Sequence, residues 1–333
     1  MQPDLIVAGA GMAGLVAAAR ARELGLDPVV YEKGTRAGGS MLLSSGVIWR
    51  HRRLDDFRAE CPGGDPELQR LIWERLAEAL AWLESRGAPV IWKETRNPLT
   101  TGKRFETRGL VRSLAGDIRL GTPVPRDADG PIILATGGYP VRLARERGLL
   151  VRSNPWSEGD GLELAFARGA EPAPSGEFYG RALPGPVPEQ DYVVASQLYG
   201  RFARRVNDRG EEFFPGEPSW SENDLVQAIA RQPGGRAWYE LDAEALARPE
   251  VAGRLRFAQE TEPLAGGGLR VRVQAAVTHT YGGVRVDTKA CAAGGVWVAG
   301  VDAGGIANGG YASGLAQALV LGLVAAESVY ACR

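Results

Sequence analysis

An α/β fold with a parallel sheet, interrupted by a smaller α+β domain, is what this sequence predicts, on three observations. A β-branched run, a glycine turn, an alanine-rich helical stretch and a second apolar run follow one another within the first thirty or so residues. Further buried-strand runs return far downstream, at 131–135 (PIILA) and 296–301 (VWVAGV). Between them the periodicity weakens while proline and glycine become dense, the mark of a separate lobe.

The elements follow in order. Residues 4–8 (DLIVA) read as a buried parallel strand, and the turn Gly9-Ala10-Gly11-Met12-Ala13-Gly14 follows at once. Residues 15–24 favour helix, and Gly25 supplies a stop. Residues 28–31 (PVVY) form a second strand ended by Glu32, and right-handed crossover makes the two strands a parallel pair. Residues 66–86 place Leu68, Leu71, Ile72, Leu76, Leu80 and Leu83 on one helical face. Residues 161–168 read as a helix capped by Asp160. From about Glu171 the character changes, with a helix at 224–230, and regularity returns at Gly282. A last helix runs from about Ser313 to Tyr330. The expected domains are therefore 1–170 with 282–333, and 171–281.

At 333 residues the chain has length for about two domains. Its net charge of −1 gives no reason to expect nucleic acid or an anionic membrane as partner. The apolar stretch 315–326 is too short and too rich in alanine and glycine for a membrane span, so a buried helix is expected. No signal peptide is read at the N-terminus, where the glycine turn begins within a few residues. Cys61, Cys291 and Cys332 form no metal or disulfide spacing, which points to reduced thiols in the cytoplasm. With only His51 and His279 present, no histidine metal site is expected.

Gly9, Gly11 and Gly14 fit GxGxxG in the context that gives it meaning, after a strand and opening a helix. Gly9 permits the tight turn, Gly11 lets the backbone approach a pyrophosphate, and Gly14 allows close helix–strand packing. The helix N-terminus offers amides and positive partial charge to phosphates, and Glu32 is placed to accept from ribose hydroxyls. This is a Rossmann-like dinucleotide site. Three features favour FAD over a nicotinamide. Gly38, Gly39 and Ser40 supply a second loop over the diphosphate. Ala135, Thr136 and Gly137, with Gly138, line a close backbone approach. The last helix presents amides near Ser313, Gly314 and Leu315 to the flavin pyrimidine edge.

In order along nearly the whole chain, VAGAGMAGL, YEKG with GGS, SSGVIW, LATGGY, EGDGLELAFARGA, VNDRGEEFF, THTYGGVRVDT and VAGVDAGGIANGGYASGLAQALVLG resemble the flavoprotein subunits of fumarate reductase and succinate dehydrogenase. That family also holds tricarballylate and 3-ketosteroid dehydrogenases, and SSGVIW and the tyrosine-containing segments are more similar to this branch. The resemblance implies a GR2-type flavoprotein whose FAD-binding domain is interrupted by a capping domain. It implies oxidation of CH–CH to C=C or the reverse, with hydride passing through flavin N5. It adds Lys33, Ser44, Ser45, Gly46 and Asp160 to the cofactor-binding set.

The sequence also departs from the family. The arginine that clamps a dicarboxylate matches Gly309, and the proton-donating arginine matches Glu222. No histidine stands in GGSMLLSS for covalent attachment, so FAD is expected to bind non-covalently. The ribityl-binding acid matches Val301, with neighbouring Asp302 as the substitute. The stretch 109–131 is trimmed.

His279, in the HTxGG segment, is the first catalytic candidate, placed to hydrogen-bond a substrate carbonyl or carboxylate; a hinge histidine is the alternative. Tyr281 and Tyr311 stand as acid–base candidates or as pocket walls. Tyr179 and Arg181 match the other substrate-facing stretch, with Arg181 for an anionic group, and Glu222 replaces the missing arginine. His51, among Arg50, Arg52 and Arg53, is expected on the solvated surface. The leading reading is an FAD-dependent dehydrogenase or reductase acting on a small molecule, with an unidentified electron acceptor or donor and a possible redox partner protein. A flavin oxidase or tailoring enzyme, and a flavin-binding subunit without catalysis, are the alternatives.

Overall fold

The computed structural model describes residues 4–333. The chain divides into two compact units. The first holds the residues up to Tyr139 with Asn154–Glu177 and His279–Arg333, and the second holds Pro140–Ser153 and Phe178–Thr278.

In the first unit β1 (Leu5–Ala8) leads through the glycine turn to α1 (Met12–Glu23), and β2 (Pro28–Tyr31) follows. β3 (Val47–His51), α2 (Leu54–Glu60) and α3 (Pro66–Ser85) come next. Then come β4 (Ile132–Leu134), α4 (Asp160–Ala167), β5 (Val296–Val298) and α5 (Gly314–Ala331). A six-stranded sheet runs in the order Cys291–Ala292, β5, β4, β1, β2, Ile118–Arg119, parallel except for the antiparallel pair Cys291–Ala292 with β5. β1 is central and buried along its length, as an aliphatic strand flanked on both sides must be. Its register puts Ala8 level with Tyr31 and Leu134, and Val298 level with Leu134. The carboxyl ends of four parallel strands therefore stand side by side, and the loops starting at Gly9, Glu32, Ala135 and Ala299 leave from one edge.

α3 starts where Asp65 accepts from the amides of Glu67 and Leu68, at 2.9 and 3.0 Å, with Pro66 in the first turn. Its buried stripe is Leu68, Ile72, Leu76, Ala79, Leu80 and Leu83. α5 lies against α1 and α3. At Gly322 a side chain would meet the Ala13 carbonyl at 2.7 Å, so the two helices cross at a distance that only glycine allows. α5 is 18 residues long, longer than the stretch first read as apolar, and passes for a membrane span by length and hydropathy, yet 67% of it is buried inside the fold.

The second unit contains a sheet ordered Phe178–Leu183, Gly268–Thr280, Arg236–Leu241, Arg204–Val206, the last three antiparallel, with helix Asn223–Ala230. The 13-residue strand Gly268–Thr280 falls where little regularity was expected, although Val271, Val273 and Ala275 alternate with Arg270, Arg272 and Gln274. The division differs from the expected 171–281 boundary in two places. Pro140–Ser153 belongs to the second unit because Leu150–Val151 pairs with Ala276 and Val277. Residues 171–177 and 279–281 stay with the first unit, where Pro172–Ala173 pairs with Gly283–Val284.

Candidate functional site

The site starts at the end of β1. Gly9 has φ +101°, and a Cβ there would lie 2.3 Å from the Ala135 carbonyl oxygen; at Gly14 a Cβ would lie 1.8 Å from the Gly9 oxygen. Both glycines are demanded by packing. Gly11 is different. Nothing lies within 4 Å of where its Cβ would stand, and α1 has no side-chain cap. The first-turn amides of Met12, Ala13 and Gly14 have no partner within the helix, so this is an uncapped helix N-terminus beside open space. Gly39 packs against it, its Cβ position 3.1 Å from the Gly11 Cα, and the Gly38 amide donates to the Ala10 carbonyl at 2.7 Å. The second loop thus covers the first.

Glu32 is 6% exposed, and its carboxylate accepts from the amides of Ala10 at 2.8 Å and Gly34 at 2.7 Å. Each oxygen keeps a second acceptor site for a ribose hydroxyl. Next to it a cavity of about 550 Å³ is lined by Gly9, Tyr31, Lys33, Arg126, Thr136 and Asp160, among others. Asn154 is buried beside Gly39, and its Oδ1 has no hydrogen-bond partner. Uncapped amides, a positioned carboxylate and an orphaned buried amide oxygen among the glycine loops, with this cavity alongside, fit the diphosphate and adenosine of FAD.

Several expected ligands have other work. Asp302 is 0% exposed, so its carboxylate cannot touch a cofactor. It accepts from the Thr136 hydroxyl at 2.9 Å, from the Gly138 amide at 2.6 Å and from the Thr136 amide. Burial raises its pKa while those donors pull it down, and burial prevails. Asp160 is not the cap of α4, a position held by Gly159; its carboxylate meets the Lys33 ammonium at 2.8 Å. Lys33 also meets Glu158 at 2.8 Å; burial works against its charge, but the two carboxylates prevail and raise its pKa. Ser44 donates to the Met41 carbonyl and accepts from Gly46, Ser45 is exposed, and Gly46 turns at φ +73°, so this trio builds the entry to β3. Ser40 accepts from the Asn154 amide at 2.9 Å. Ser313 caps α5 through the Ala316 amide at 3.2 Å, leaving Gly314 and Leu315 as its outward amides.

The first unit brings three catalytic candidates to the loop before α5. The His279 ring lies over Gly314, with Cε1 3.1 Å from the Cβ position, and 5.8 Å from the Tyr281 ring. Tyr281 is 3% exposed and donates its hydroxyl to the Gly310 carbonyl, so it serves as a tether and not as an acid–base group. Tyr311 is half-buried and packs 5.2 Å from Trp49. His51 is not on the surface: it is 3% exposed, edge-on to Trp49 at 5.3 Å and stacked on Phe57 at 5.7 Å. Burial lowers its pKa, against a hydrogen bond to the Tyr311 backbone and the charge of Asp56.

The second unit holds the other candidates. Arg181 donates to the Ser221 carbonyl and lies 5.1 Å over the Tyr199 ring, and Tyr179 is half-buried. Glu222 is 4% exposed, and its carboxylate accepts from the Gly200 amide and from the Arg201 amide and Nε at 3.0–3.2 Å. It is an internal latch, which removes it as a proton-transfer group. The reading of the sequence missed Asn154, Trp156 and Ser157, which line the loops; the Asn154-Pro155 pair ahead of Asp160 was the available turn signal.

Comparison with known proteins agrees with this geometry. Residues 4–116 match the family model of the FAD binding domain. The NADH:fumarate oxidoreductase of Klebsiella pneumoniae (strain 342) is 23% identical over 308 residues, covering 75% of this chain and 33% of the relative. The chain therefore spans about one third of that relative's length. The open conformation of a flavocytochrome c3 fumarate reductase matches with TM-score 0.75 and 19% identity, over 99% of this chain and 78% of that one. The 3-ketosteroid Δ1-dehydrogenase of Sterolibacterium denitrificans matches with TM-score 0.74 and 14% identity over 100% of both chains. The 3-ketosteroid-Δ4-(5α)-dehydrogenase of Rhodococcus jostii matches with TM-score 0.69 and 16% identity, over 99% and 97%. Fold and site define an FAD-binding flavoprotein. Residues 4–116 carry the FAD binding domain, and the fold of the chain is similar to that of the fumarate reductase and 3-ketosteroid dehydrogenase flavoproteins.

Proposed function

We propose that this chain is an FAD-dependent oxidoreductase acting on a CH–CH or C=C bond next to a carbonyl or carboxylate of a small molecule. The observation that carries the reading is His279 and Tyr311 beside the N-terminus of α5, in the unit that holds the glycine loops. FAD supplies a two-electron acceptor or donor when bound. The residues of the chain bind, orient and move protons: His279 holds the substrate carbonyl, Tyr311 walls the pocket, and the outward amides of Gly314 and Leu315 favour negative charge.

Gly309 supports a substrate other than a dicarboxylate. It turns at φ +91°, its Cβ position lies 3.0 Å from Pro62, and its amide donates to Glu177 at 2.6 Å. An arginine there would be strained in the left-handed conformation and would crowd Pro62, and Glu177 would compete with a substrate for its charge. The loop from Gly38 to Gly46 contains no histidine, which supports non-covalent FAD. A redox partner protein is part of the proposal, as is a reducing compartment, the cytoplasm, supported by three free cysteines.

Anaerobic incubation of the yellow protein with organic acids and cyclic ketones tests the reading. Bleaching of the flavin by one class supports it, and no bleaching by any donor together with no dye-coupled reduction counts against catalysis. His279→Ala should lower turnover with flavin content unchanged. Acid precipitation should release FAD into the supernatant; flavin left in the pellet would mean covalent attachment.

A further inference from the structure

Residues 154–160 touch the loop after β2 along its length. The Asn154 amide donates to the Ser40 hydroxyl at 2.9 Å. Trp156 lies flat on Gly34, whose Cβ position is 2.4 Å from the indole, and the Arg36 guanidinium sits 5.6 Å from the same ring. Lys33 then bridges Glu158 and Asp160, both at 2.8 Å. The far end is fixed by the Gly161 amide on the Thr136 hydroxyl at 3.1 Å. Lys33 and Asp160 both line the 550 Å³ cavity, whereas Glu158 does not line it.

We propose that residues 154–160 are a strap that retains FAD, and that Lys33 and Glu158 fasten it without Glu158 touching the cofactor. The adenosine end of the site opens only when the Lys33 bridge and the Trp156–Gly34 contact part. Retention then depends on ionic strength, because the bridge is partly exposed, with 28% of the Lys33 side chain and 40% of the Glu158 side chain accessible. The inference rests on FAD binding alone and is independent of the reaction the flavin serves.

The test follows FAD release by the fluorescence of free flavin after dilution of the holoprotein into buffers from low salt to 1 M KCl. Wild-type release should quicken with salt. Glu158→Gln and Lys33→Met should each quicken release about 2–5-fold at low salt, the range an exposed ion pair commands, and flatten its salt dependence. Trp156→Ala should quicken release while the salt dependence persists. Wild-type release by Glu158→Gln beside fast release by Lys33→Met would overturn the strap and make Lys33 a direct ligand. Release of wild-type FAD that ignores salt would overturn it as well. Should Lys33→Met fail to fold, Glu158→Gln decides alone.

Discussion

The carboxylate of Asp302 accepts from the amide of Gly138 at 2.6 Å, across 164 residues of sequence. It ties the loop after β4 to the loop after β5, two of the four loops that leave the carboxyl edge of the sheet. Asp302→Ala leaves the amides of Thr136 and Gly138 unpaired in the interior. It should lower stability by about 3 kcal/mol. Asp302→Asn, which keeps one acceptor oxygen, should lose about half of that. Urea unfolding of the apoprotein measures both, and an Ala variant as stable as wild type would refute the tie.

Gly11 and Gly14 separate ligand from packing. Gly14→Ala forces a methyl onto the Gly9 carbonyl and should destabilise the apoprotein by about 1–3 kcal/mol. Gly11→Ala has room, and its φ of −74° suits any residue, so apoprotein stability should shift by less than about 0.5 kcal/mol. FAD affinity should nevertheless fall at least about tenfold, near 1.4 kcal/mol. Titration of apoprotein with FAD reads the difference.

His51 gives a pH dependence. Burial holds it below its ordinary 6.5, so between that lower value and 6.5 the unfolded chain binds a proton that the folded chain does not. This stability is present above 6.5 and is lost as pH falls through the depressed folded value. The slope attributable to His51 is at most about 1.4 kcal/mol per pH unit. His51→Gln should flatten the curve below pH 6.5; an unchanged slope would place the titration elsewhere.

Glu222 sits at φ +55° with its carboxylate buried on Gly200 and Arg201. Glu222→Ala should cost about 2–3 kcal/mol through the stranded donors. Glu222→Gly should be less harmful by about 1 kcal/mol, because glycine takes the left-handed conformation freely. If the two variants melt together, strain at this position is negligible.

The dinucleotide site was legible in the sequence because its parts are local: strand, glycine turn, helix and acid fall within 32 residues. Asp302 was misread as a cofactor ligand and Asp160 as a helix cap for the opposite reason. Which group a carboxylate meets depends on pairings over 125 residues and more, as with Asp302 on Thr136 or Lys33 on Asp160, and no periodicity records those. His51 looked solvated beside three arginines, but Phe57 and Trp49 enclose it from α2 and its own strand. The two residues Leu150–Val151 carry too little pattern to announce a strand, yet their pairing assigns Pro140–Ser153 to the second unit.

Gly322 of α5 seats against Ala13 of α1, the helix that opens the dinucleotide turn. A nascent chain therefore lacks the support of that glycine turn until α5 has left the ribosome. Cofactor capture during synthesis must wait for α5, and a stop before Gly314 should yield a colourless product, however much of the preceding sequence it retains.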